Sequence, residues 1–133
     1  MKKFRVTLLF VLAAIILAFI FIPERVEIPE GSSAKIINTY GGNDIVAVLS
    51  EDESRTIAKI FDGRAYMVFE IPACFFSDFR SIWFGDDFSL GFCPAFDGCD
   101  IIYDMEADAY FRISYLGAKK LHNILENYGF EFP

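Results

Sequence analysis

The sequence predicts an α+β domain behind an N-terminal transmembrane helix, and three observations carry that expectation. An uncharged run from Val6 to Ile22 follows Lys2, Lys3 and Arg5. Beyond it, short stretches of period-two apolar alternation recur about every ten residues, with turn residues between them. Two further stretches carry apolar residues at helical spacing. Together these imply an antiparallel sheet, a meander of about five strands plus an N-terminal hairpin, with two helices packed on its apolar face.

The leading run is 17 residues long. That is about 25 Å as a helix, the short end of what spans a ~30 Å hydrocarbon core. A segment apolar on every side suits lipid better than the core of a small protein. A cleavable signal ends in small residues at the cut, whereas this run ends in the bulky "FIFI" before Pro23 and Glu24. An uncleaved anchor is therefore the leading reading and a cleaved signal, cut near Ala18, its rival. Either one exports the rest of the chain, because the basic flank stays in the cytoplasm. The expected organisation is an anchor over 1–22, a linker over 23–33 marked by Pro23, Pro29 and Gly31, and a domain over 34–133. The expected location is the cell membrane with the C-terminal domain outside the cytoplasm, or secreted or periplasmic if the signal is cleaved.

Within the domain, "AKIINTYGGNDIVAVLS" (34–50) has two apolar runs split by Gly41-Gly42 and reads as a hairpin. Ser50 with Glu53 makes a capping-box pattern, and Ile57, Ile60 and Phe61 form a stripe before Gly63, so a helix is expected over 51–62. Five alternating runs follow. Ala65, Met67, Phe69 and Ile71 share one face, as do Ile82 and Phe84, and then Phe88, Leu90 and Phe92. Cys99, Ile101, Tyr103 and Met105 form the fourth set, and Phe111 with Ile113 the last. Ala118, Leu121, Ile124, Leu125 and Tyr128 then recur at helical spacing between Ser114 and Gly129, which predicts the second helix of the domain.

Net charge narrows the partners. The chain is −7 overall, and Lys2, Lys3 and Arg5 carry three of its positive charges, which leaves −10 on the remainder. Such a domain is repelled by nucleic acid, so nucleic-acid binding is excluded, and a protein partner is expected to be cationic. The other account of this charge is plain solubility beside a negatively charged envelope.

Two of the three cysteines lie in "FCPAFDGCD" (92–100). Cys93 and Cys99 are too far apart in sequence for paired zinc thiolates, and the sole histidine, His122, lies in the last helix. Asp97, Gly98, Asp100 and Asp104 do not reproduce the alternating ligands of a calcium loop. No metal and no cofactor is expected. In an oxidising compartment a disulfide is the default. By alternation Cys99 faces the core and Cys93 faces away, which disfavours Cys93–Cys99 and favours Cys74–Cys99; a bend at Pro94 keeps the local pair open as the alternative.

No catalytic constellation emerges. His122 falls on a helix flank, the acids at 51–53 and 86–87 lie in a helix first turn and a turn, and Glu70 reads as a sheet-surface residue. No glycine-rich phosphate loop or serine elbow is present. The second sheet face, by the same alternation, carries Tyr66, Val68, Trp83, Ile102, Tyr110 and Arg112, the residue types that dominate binding hot spots. A competing reading has the N-terminal hairpin or the linker covering that face as a second small core. The expectation is a membrane-anchored extracytoplasmic binding module without catalytic activity. Its rivals are a released acidic inhibitor-like protein that binds a cationic enzyme, and a carboxylate hydrolase using Glu70 or the turn acids.

Overall fold

The computed structural model describes residues 2–133, with side chains from Arg5 onward. It is an α+β fold in which a six-stranded antiparallel sheet runs β2-β1-β3-β4-β5-β6. The strands are β1 (Ala34–Asn38), β2 (Ile45–Val48), β3 (Arg80–Phe84), β4 (Leu90–Pro94), β5 (Ile101–Asp104) and β6 (Ala109–Arg112). Three helices, α1 (Lys2–Ile20), α2 (Glu51–Phe61) and α3 (Tyr115–Glu126), complete it. The 34–50 hairpin forms as expected, with Gly41 and Gly42 both at positive φ in its turn. Pairing of β1 with β3 then welds that hairpin onto a four-stranded meander.

Helices α2 and α3 pack on one face. Ser50 caps α2, accepting from the Glu53 amide while the Glu53 carboxylate accepts from the Ser50 amide, so two amides that the helix cannot satisfy itself find partners. Ser114 caps α3 in the same way through the Gly117 amide. Phe61 of α2 sits edge-on to Phe84, Phe92 and Phe111, one ring from each of β3, β4 and β6, with centroids 6.3, 5.3 and 5.4 Å away. Edge-to-face pairs add about 0.5–1.5 kcal/mol each beyond the area they bury, so this aromatic cluster is the energetic centre of the core. Ile57, Leu121, Leu125 and Phe130 close it.

Three expectations need correction, and a fourth is not supported. The alternating run at 65–71 is not a strand. Only Ala65 and Tyr66 make isolated bridges, and from Val68 the chain leaves as an exposed loop with Phe69 at φ 62°. The meander has four strands, not five. Residues 24–28 are not a free linker: the Val26 amide donates to Arg64 O, the Gly63 amide donates to Val26 O, and Val26 and Ile28 are in the core. Their two-residue alternation signalled this, but the charges between them concealed it. Finally, among the described residues no helix is long and apolar enough to cross a membrane. The expected transmembrane helix is thus not supported. All described side chains of α1 from Arg5 to Ile20 are exposed.

Candidate binding surface

The face of the sheet away from the helices holds only part of the expected aromatic surface. Trp83, Tyr110 and Arg112 do point there, alternating with the core residues Ile82, Phe84 and Phe111. Ile102 does not. It is 1% exposed and belongs to the helix-side core, opposite Phe111. The phase was misread because β5 begins at Ile101, after a turn, so Cys99 is not in the strand and cannot set its alternation. Tyr66 is likewise drawn to the core side: its ring packs on Phe111 and its hydroxyl donates to the buried carboxylate of Asp104 at 2.6 Å. Burial, and then that hydrogen bond and charge, push the Tyr66 hydroxyl well above the usual tyrosine range. Val68 is exposed, on the loop after Tyr66.

The second face is covered neither by the hairpin nor by the linker but by the loop before β3. Phe76 packs on Tyr103 and Tyr110, whose own rings lie 5.0 Å apart across the β5–β6 pair. The disulfide Cys74–Cys99 ties that loop down, with Cα atoms 6.3 Å apart. The Phe96 amide donates to Phe75 O beside it. The expected pairing holds, although Cys99 reaches Cys74 from a turn and not from beneath the sheet. Cys93 stays reduced on β4 at 1% exposure, and burial, with a smaller push from Asp78, raises its thiol to about 12. Trp83 is half-buried, lying over Gly91, where an added Cβ would meet its ring at 2.8 Å; its indole N–H donates to Ser81 Oγ. Arg112 is exposed and paired with Asp100.

A different surface was not read from the sequence. Register alone shows it. Leu49 N donates to Ala34 O, so Ala34–Leu49 is a hydrogen-bonded pair and, two residues on, so is Ile36–Ala47. The N–H and C=O groups of Val46 and Val48 therefore point away from β1, along the open edge of the sheet. Both valine side chains are 61% exposed. Asp44 precedes this strand and Glu51, Asp52 and Glu53 follow it, against the cations Lys35 and Arg55. The opposite edge is closed, because the Met67 amide donates to Tyr110 O and Tyr66 bridges Phe111. One edge of the sheet is thus sealed by the chain itself, and the other, apolar and flanked by acids, is left without a strand partner among the described residues.

At the bottom of the sheet Arg80, buried in β3, is surrounded by the rings of Tyr40, Phe96 and Phe130 at 5.6, 5.4 and 5.1 Å, and it donates to Glu131 O. Burial lowers its pKa, Glu131 opposes this, and the aromatic faces supply the attraction that a carboxylate partner would otherwise give. Its Nε and Asn38 Oδ1 are buried without a hydrogen-bond partner.

The grooves are open ones. One, about 680 Å³, runs between residues 28–33 and α2 past Ser54, Arg55 and Lys59. His122 lines another with Lys119 and Glu126, and its ring stacks on Phe132 at 3.8 Å. Burial lowers its pKa, opposed by Glu126. Glu70 is exposed on the loop, not set in an apolar strand. Among the described residues the one cluster with metal-ligand spacing is Cys74, Asp97 and Cys99, but its two sulfurs are bonded to each other and offer no thiolate. No family model matches the sequence, and neither the curated proteins nor the solved structures include a match to it.

Proposed function

We propose that this chain is a small membrane-anchored extracytoplasmic binding module, without catalytic activity, that takes an extended cationic segment of a partner protein along β2. The observation that carries the reading is the asymmetry of the sheet edges, one sealed by Tyr66 and Met67 and one left open at Val46 and Val48. An added strand gains main-chain hydrogen bonds from the outward groups of these valines, and the flanking acids select a positive one. What speaks for the anchor is the uncharged run from Val6 to Ile22 behind Lys2, Lys3 and Arg5, with every described side chain of α1 from Arg5 to Ile20 exposed.

Val48→Pro is the decisive variant. Its missing N–H is one that points outward, so the fold keeps its ladder to β1 while the added strand loses a donor. Affinity capture from intact envelopes is expected to recover a partner with the wild type and with Trp83→Ser, and to lose it with V48P at unchanged melting temperature. Equal recovery with V48P sinks the reading.

That no helix among the described residues is long and apolar enough to cross a membrane favours one second reading, a cleaved and released acidic protein using the same edge. Intact mass of the native chain separates them, since release leaves a chain that starts after about Ala18.

A further inference from the structure

We infer that the loop from Met67 to Ile71 is a second membrane contact, an apolar tip that enters the bilayer holding the N-terminal segment; this rests on the anchored reading above. Val68, Phe69 and Ile71 are 59%, 101% and 87% exposed, so three apolar residues in four positions leave the domain, and Phe69 and Ile71 bury almost nothing against it. Phe69 does so from a left-handed backbone, φ 62°, which a bulky residue rarely adopts.

Position identifies what this tip meets. Arg25 bridges Ala65 in antiparallel sense, and the Tyr66 amide donates to Glu24 O at 3.0 Å. In that register the chain leaving Tyr66 towards Phe69 runs to the side from which the N-terminal segment arrives. Phe69 lies three residues beyond Tyr66, at most about 10 Å, and Ile22 two residues before Glu24, at most about 7 Å. Since Glu24 to Ile28 are bonded into the domain, no long tether separates the apolar run from the fold. The tip is therefore held at the depth where the anchor enters lipid. Glu70 is the only charge between Val68 and Ile71, and no lysine or arginine lies within the loop from Ala65 to Phe79, so apolar burial and not attraction to anionic headgroups drives the contact.

The full chain carrying Phe69→Trp, reconstituted in phosphatidylcholine vesicles, tests this with lipids brominated on their acyl chains. Trp83, half-buried in the sheet, supplies the background in the wild type. The added emission is expected to be blue-shifted, to lose most of its intensity to the brominated lipid, and to be insensitive to salt. Ile71→Trp gives the same reading at a second position, should F69W disturb the loop. Chain that stays in the vesicles through alkaline carbonate but shows unquenched, water-like emission at both positions overturns the inference and leaves the anchor standing. Chain washed out by carbonate overturns the anchor and the inference together. Quenching only by headgroup-labelled lipid, or only after a protein is added, also overturns it.

Discussion

Glu53 shows how one side chain joins three parts of the fold. Its carboxylate accepts from the Ser50 amide and hydroxyl and from the Tyr128 hydroxyl, so it caps α2 and fastens the end of α3 to it. Partial burial pushes its pKa up, but the bonds from Ser50 and then Tyr128 outweigh this and hold it below the usual carboxylate range. A carboxylate depressed in the folded state adds stability that is present above the unfolded pKa and lost as pH falls through the folded one. Denaturant titrations are therefore expected to show stability dropping as pH goes below about 4.5, with a shallower drop in Glu53→Gln. Ser50→Ala should cost about 1 kcal/mol at neutral pH. An acid limb as steep in E53Q as in the wild type would show that other carboxylates carry it.

Most elements were legible because each combined a periodic pattern with a terminator. Both domain helices had a cap, a stripe and a closing glycine in sequence, and they form within a few residues of the expected bounds. The strand at 65–71 failed for want of a neighbour. Alternation records which side chains can share a face, but pairing needs an edge, and beyond Met67 the β6 edge is already used up. The inverted phase of β5 has the same root, a pattern carried across a turn into the strand. For the candidate surface, the hidden quantity was hydrogen-bond direction: nothing in "IVAV" says which valines turn their amides outward until its partner's register is known. At the level of packing, Phe61 joins α2 to three strands through its ring contacts. Phe61→Ala is expected to cost about 3–5 kcal/mol by chemical denaturation. A loss under about 1 kcal/mol would mean the aromatic cluster is not the centre of the core.

For the molecule as a whole, the disulfide decides which face is free. It closes a span of 25 residues, worth about 3.5 kcal/mol by loop-closure entropy, and holds Phe76 against Tyr103 and Tyr110, so the aromatic face read from the sequence is largely spoken for. Alkylation followed by intact mass reports this arrangement directly. The native chain should take up no label, the chain unfolded without reductant one at Cys93, and the unfolded and reduced chain three. Label entering the native protein would place Cys93 at the surface, against its burial in β4.

That lone thiol shapes how the chain must mature. In the unfolded chain, Cys93 and Cys99 are six residues apart and collide far more often than Cys74 and Cys99. Oxidation that outruns folding therefore favours the wrong ring. Only once the sheet has closed over Cys93 is that choice withdrawn.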